Sequence, residues 1–167
     1  PSFNIGIVTD GPYAFKPDLV SIFKREVRRM AEGEFDVKFP DNMVLEADST
    51  PGGVNRHIDA LLNNGETDLV LALGTVASTE ALKRIDLNKP VVAPFVYDAE
   101  LQKAPRGEVG SGVNNLFYLN LGTPIDQELI QFRKLVPFKR LALLLDERDI
   151  LGVLGLEKLS RSLAFEH

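Results

Sequence analysis

Three short clusters in this chain carry side chains able to hold a small polar molecule, and each follows an apolar run. Thr9-Asp10-Gly11 comes after Phe3–Val8, Gly74-Thr75 after Asp68–Leu73, and Tyr97-Asp98 after Pro90–Val96. In an open α/β sheet, ligands bind in the crevice beyond the carboxyl ends of the strands, so residues at these positions are the informative ones. Gly74 permits close backbone approach, and a helix opening at Thr75 presents unpaired N–H groups and a positive dipole end. With hydroxyls from Thr75 and Ser78, that turn can receive a carboxylate or another small anion. The plainer role for Thr75 is to cap its own helix. Tyr97 offers a stacking face and Asp98 an acceptor for an amine or hydroxyl, or the pair simply covers the edge of the sheet. Asp10 before Gly11 is open to the same two readings, since turn chemistry alone favours that dipeptide.

Other chemistries lack their residues. A dinucleotide fold needs GxGxxG after the first strand, where this chain has one Gly and Pro12. A P-loop sequence is missing, and Gly74 occupies the place where a phosphoacceptor domain carries a carboxylate. HExxH, GxSxG and metal-spaced clusters are missing too. His57 sits between Arg56 and Ile58 as a solvated or half-buried helix residue, and His167 is terminal. Asp146, Glu147 and Asp149 read as the solvated start of a helix rather than a metal or amine site. The expectation is a protein with no catalytic residues, no metal and no cofactor.

The elements that must position the three clusters alternate regularly. After the Phe3–Val8 strand, Leu19, Val20, Phe23, Val27 and Met30 recur at helical spacing within Asp18–Met30, opposite Lys24, Arg25, Arg28 and Arg29. Phe35, Val37 and Phe39 alternate with charged residues, as in an edge strand closed by Pro40. Thr50-Pro51 opens a helix with the stripe Val54, Ile58, Leu61 and Leu62, ended by Asn63-Asn64-Gly65. Asp68–Leu73 is apolar almost throughout, as in a strand buried on both faces. A helix to about Arg84 follows, with Val76, Ala77, Ala81 and Ile85 inward. Pro94 places a bulge or early end in the Pro90–Val96 strand. The polar stretch Ala99–Gly112 is a loop, and Val113–Leu121 contains a further strand. Thr123-Pro124 starts a helix bearing Ile125, Leu129, Phe132 and Leu135 that Pro137 stops. Leu141–Leu145 is a last strand and Ile150–Phe165 a last amphipathic helix. Strands alternating with helices imply βαβ units, so the fold class is α/β with a doubly wound, mostly parallel, flavodoxin-like sheet.

The chain has 167 residues, no Cys, and a formal charge of −5 from 19 basic and 24 acidic residues. A length of this order holds a real core without staples. Without Cys there are no disulfides, thiolate metal sites or cysteine nucleophiles. An acidic domain without a basic block lacks the electrostatic footprint for nucleic acid. No apolar run approaches a membrane span. The chain begins at Pro1, not Met, which suggests a piece of a longer protein.

The order of motifs resembles a known family. Asp68–Thr75 (DLVLALGT), Lys89-Pro90-Val91-Val92 and Val96-Tyr97-Asp98 look like the core of the ABC-transporter substrate-binding proteins of the tryptophan/tyrosine type. Gly110-Ser111-Gly112-Val113 is similar to that group's V-T-G-V, with Ser111 in place of Thr. Leu129–Leu145 (LIQFRKLVPFKRLALLL) is similar to its helix, L-x-P and basic strand-opening passage. The likeness runs from about Phe3 to Leu145, although Asn114–Gly122 departs from the pattern. It implies one lobe of a type I periplasmic-binding-protein architecture, with residues 1–137 as the ligand-binding lobe. Residues 138–167 would then start a second lobe or cross back onto the first. Ligand contacts carried over by position are Thr9, Asp10, Gly74, Thr75, Ser78, Tyr97 and Asp98, with Thr75 suited to an α-carboxylate. The implied function is non-enzymatic binding of a small molecule, an amino acid or similar metabolite, for an ABC-type transport system or a fused sensor. The implied setting is extracytoplasmic, in the periplasm or on a cell-surface lipoprotein, with a membrane permease or fused membrane protein as partner. The alternative is an interaction module of the same fold with a degenerate cleft. It would dock a partner or a second copy through the apolar stretch Ile150, Leu151, Val153, Leu154, Leu156, Leu159 and Leu163.

Overall fold

A computed structural model describes residues 1–12, 19–122 and 125–142 of the chain. Its strands are β1 (Ser2–Thr9), β2 (Asp36–Lys38), β3 (Val44–Glu46), β4 (Leu69–Leu73), β5 (Val91–Val96) and β6 (Leu116–Asn120). Its helices are α1 (Leu19–Ala31), α2 (Pro51–Asn63), α3 (Thr75–Leu82) and α4 (Ile125–Leu135), with a 3-10 turn at Asp41–Met43. All pairings are parallel, in the order β2-β1-β4-β5-β6. The strand β3 also lies beside β1, pairing its last residues while β2 pairs its first. Thus β2 and β3 form one interrupted edge, and the sheet has the flavodoxin-like order 2-1-3-4-5. The α/β, doubly wound fold expected from the sequence is the fold observed.

Each face of the sheet is covered by what the hydrophobic periodicity supplies. On one face Val8, Val70, Ala72, Val91, Ala93, Val96 and Leu116 pack with Val54, Ile58 and Leu61 of α2 and Val76, Ala77 and Ala81 of α3. On the other, Ile5, Ile7, Leu71 and Leu73 pack under Val20, Phe23 and Val27 of α1. Parallel strands need cover on both faces, which explains the near-continuous apolar runs in β1 and β4. Thr50 caps α2 as its sequence signature implies, its hydroxyl accepting from the Gly53 N–H at 2.9 Å with Pro51 in the first turn. Pro94 sits where the β5–β6 register shifts, between Ala93 and Val96. The loop expectation over 99–112 holds, and His57 is half-buried on α2.

Several readings need correction. The three-residue strand β3 and its preceding turn went unseen, being too short to show alternation. Ile85 is 80% exposed because α3 ends at Leu82, and Leu87 fills the core position beyond it. Met30 and the α4 residues Phe132 and Leu135 also face solvent rather than a core. The expected strand residues Leu141 and Ala142 belong to no strand among the described residues. The rest of Leu141–Leu145, the helix Ile150–Phe165 with its apolar stretch, the acids Asp146, Glu147 and Asp149, His167, and the Thr123-Pro124 start of α4 lie outside the described residues. Among the described residues, no helix is long and apolar enough to cross a membrane.

Candidate functional site

After β1 the chain turns to the β2/β3 edge, and only then crosses over to β4 on the other side of β1. The boundary between β1 and β4 is therefore the topological switch point, where helices leave the sheet in opposite directions and open a crevice. Asp10 follows β1 and Gly74-Thr75 follows β4, so these residues meet across that boundary. Thr9 closes β1, buried, and its carbonyl accepts from the Ala47 N–H.

The Asp10 carboxylate is almost wholly buried and aimed at the start of α3. One oxygen accepts from the Val76 N–H at 3.0 Å and the other from the Ala77 N–H at 2.7 Å. Gly74, the residue ahead of the helix, has no side chain to cap it, so an acid from a distant strand does so. That placement is favourable on two counts, since orphan donors are satisfied and a negative charge meets the positive end of the helix. It also dictates the glycine. A Cβ on Gly74 would overlap the Asp10 carboxyl group, and Gly74 holds φ 151°, ψ 164°, a conformation essentially confined to Gly. The turn expected to receive a ligand carboxylate thus already holds one, supplied by the chain.

Ser78 is fully buried and turned into the sheet. Its hydroxyl donates to the Ala72 carbonyl at 3.0 Å and accepts from the Phe95 N–H at 3.0 Å. The β4–β5 register covers Val70↔Val91 and Leu71↔Val92. Ser78 bridges the two strands just beyond it. Thr75, in contrast, is half-buried at the mouth of the crevice.

Beyond β5, Asp98 is buried and its Oδ1 accepts from the N–H groups of Glu100 (3.0 Å) and Leu101 (2.9 Å), closing an Asx-type turn. Gln102 locks that turn. Its Oε1 accepts from Tyr97 and Asp98 N–H, and its Nε2 donates to Thr79 Oγ1 at 2.8 Å and the Phe95 carbonyl at 3.2 Å. With no exposure at all, this amide is fully satisfied, and it fixes the backbone from which Tyr97 projects. Sequence reading missed Gln102, which lies in a polar loop with no periodicity. The Tyr97 ring is exposed and stands 6.2 Å from Phe95, which stands 6.1 Å from Phe23 of α1. These three rings form an aromatic row that runs from the core beneath α1, where Phe23 and Phe95 pack, out to the exposed Tyr97 beyond β5.

The site residues therefore divide by what they touch. Asp10, Gly74, Ser78 and Asp98 hold backbone in place, while Thr75 and Tyr97 offer a hydroxyl and a ring face toward solvent. Just ahead of α2, Asp48 accepts from the Thr50 hydroxyl and N–H and from Arg56. The Thr50 hydrogen bonds, helped by the Arg56 charge, hold its carboxyl below the ordinary aspartate range. No group of acids or histidines able to hold a metal ion occurs among the described residues. A shallow groove lies at the opposite end of β1, lined by Arg28, Arg29, Glu32, Phe35 and Asp36. It is wide open, and its Arg29 is engaged with Glu26 at 2.9 Å, so the strand-end crevice remains the candidate site. No protein-family model, curated protein or solved structure matches the chain.

Proposed function

We propose that this chain is a non-enzymatic ligand-binding lobe, capturing a small amino-acid-like molecule at the carboxyl edge of its sheet. In this reading it serves an extracytoplasmic substrate-binding component of an ABC-type transport system, or a fused sensor, with a membrane permease or membrane-protein module as partner. The observation that carries it is the meeting of Asp10 and Gly74-Thr75 across the β1–β4 switch point, the place where such sheets bind ligands. The geometry modifies the mode of capture. A ligand carboxylate cannot take the α3 amides without displacing Asp10, so Thr75 and the Tyr97 ring are the groups proposed to reach the ligand. A ligand with an apolar or cationic face suits the aromatic row, because a cation over such rings gains about 0.5–2 kcal/mol. Capture proceeds by hydrogen bonding and stacking with no covalent step, and a second lobe, where one is joined, would close over it by a hinge.

Calorimetric titration with a panel of amino acids and related metabolites tests this. The expected result is saturable binding of one class, weakened at least tenfold by Thr75→Ala combined with Tyr97→Ala. Affinity unchanged in that double variant overturns the site, and absence of heat across the panel overturns the ligand class. A second reading, an interaction module of the same fold, is favoured by the exposed apolar strip on β6.

A further inference from the structure

Thr75 opens α3 and Tyr97 follows β5, so whether they can act on one ligand depends on what fixes the helix to the end of that strand. The β4–β5 register covers Val70↔Val91 and Leu71↔Val92. Two residues further on, Pro94 has no N–H to give, and the β5–β6 register shifts between Ala93 and Val96. Past that point, side chains of α3 and of the following loop grip the backbone. Phe95 is held at both of its backbone polar groups. Its N–H donates to Ser78 Oγ at 3.0 Å, and its carbonyl accepts from Gln102 Nε2 at 3.2 Å. The same Nε2 donates to Thr79 Oγ1 at 2.8 Å. At the other end of the amide, Oε1 accepts from the Tyr97 N–H at 2.7 Å and the Asp98 N–H at 3.2 Å. Thr79 lies about one helical turn after Thr75. One planar amide therefore reaches from the helix that carries Thr75 to the backbone that carries Tyr97.

We propose that Thr79 and Gln102 are positioning residues, a buried strut that sets the separation of Thr75 from Tyr97 and holds the two ready before a ligand arrives. Thr79, Gln102 and the neighbouring Ser78 have no solvent exposure. With both ends of the Gln102 amide engaged where water does not reach, a lost partner is not replaced by solvent. The strut thus fixes a distance rather than adding a contact. A pair fixed in advance loses less freedom on binding, and a displacement of about 0.5 Å is enough to degrade such a pair. As far as it concerns capture, this inference rests on the crevice reading given above. The strut itself is a property of the chain and is measured without any ligand.

Because the chain has no Cys, nitroxide labels can be placed on chosen pairs. Thr75→Cys with Tyr97→Cys reports across the crevice. Ser2→Cys with Asn63→Cys is a control pair between β1 and α2, away from the strut. Thr79→Val, which keeps the side-chain shape and removes the hydroxyl, is introduced into each pair, and Thr79→Ser restores the hydroxyl. Electron-spin dipolar spectroscopy should give a narrow 75–97 distance distribution in the parent. Thr79→Val should broaden it about twofold or more, Thr79→Ser should return it to the parent width, and the control pair should not change. If Thr79→Val loses its fold by circular dichroism, Thr79→Ala makes the same cut. A 75–97 width that Thr79→Val leaves unchanged overturns the proposal. So does equal broadening of both pairs, which would mean that Thr79 serves overall stability and not this geometry. Capture is read by calorimetric titration of the unlabelled chains with the standard L-amino acids. Any that binds should bind roughly tenfold more weakly to Thr79→Val and normally to Thr79→Ser, and equal affinity in all three chains overturns the positioning role. Absence of heat across the panel, with the distances as expected, overturns the ligand class and supports the strut, so the two failures are told apart.

Discussion

The carboxyl group of Asp10 occupies the space that any side chain on Gly74 would need, so the end of β1 and the turn after β4 are fitted to each other. The fit has an energetic consequence on each side. The Asp10 carboxylate satisfies the two amides at the start of α3, and Gly74 supplies the room for it.

Gly74→Ala should therefore destabilise by about 3 kcal/mol or more, joining a Gly-only backbone conformation to a displaced cap. Asp10→Ala should cost about 2–4 kcal/mol, because two buried N–H groups lose their acceptors. Asp10→Asn keeps one carbonyl acceptor and should cost less than either. Urea denaturation of the three variants measures this order, and a Gly74→Ala chain as stable as the parent would refute the fit.

Ser78 tests the distinction between frame and contact. Removing its hydroxyl leaves the Phe95 N–H without its acceptor in a buried place, at a cost of about 1–3 kcal/mol. Ser78→Ala should thus lower the denaturation midpoint, whereas Thr75→Ala, at the half-exposed mouth, should change it by less than about 0.5 kcal/mol. Equal effects at both positions would contradict the division.

Much of this architecture was legible beforehand, and the part that was not has a physical explanation. The run Leu69–Leu73 announced a strand covered on both faces, and Thr50-Pro51 announced a helix start, because both are local signals. Asp10 capping α3 joins residues far apart in the chain, and nothing near either one marks the pairing. Ser78 and Gln102 do their work across strands and loops, so their types hint at polarity but not at partners. Ile85 misled because helical spacing from Ala81 persists after the helix has ended, while the buried position beyond went to Leu87. Strand-end positions pointed to the switch-point crevice, and burial decides which residues there are spent on the frame.

Gln102 is expected to be the most sensitive residue of the loop after β5. Its amide makes four hydrogen bonds in complete burial, so Gln102→Ala loses them and leaves a void, costing about 3 kcal/mol or more. Gln102→Glu keeps acceptors for the Tyr97 and Asp98 amides but loses both donors, and also buries a charge. Both variants should speed amide hydrogen exchange at Tyr97, Asp98 and Leu101 more than in β1, where exchange should follow global stability. Exchange raised uniformly through the sheet would show that Gln102 acts on the whole fold and not on this loop.

The acid response of α2 follows from Asp48. Its folded carboxyl titrates below the ordinary value of 3.8, first because the Thr50 hydroxyl and N–H donate to the charged form, then because Arg56 lies 3.1 Å away. A depressed folded value means that the unfolded chain takes up the proton first as pH falls. The contribution of Asp48 is therefore complete above about pH 4 and is lost as pH drops through the folded value. Asp48→Asn should be less stable than the parent at pH 7, and the gap should narrow on acidification toward pH 3. The carboxyl is exposed to solvent, so added salt should shrink the Arg56 share at pH 7 and leave the Thr50 hydrogen bonds in place. Urea midpoints of parent and variant at the two pH values, with and without salt, separate these contributions. A gap that widens in acid would reverse the sign and exclude the stabilisation that the charged Asp48 draws from Thr50 and Arg56.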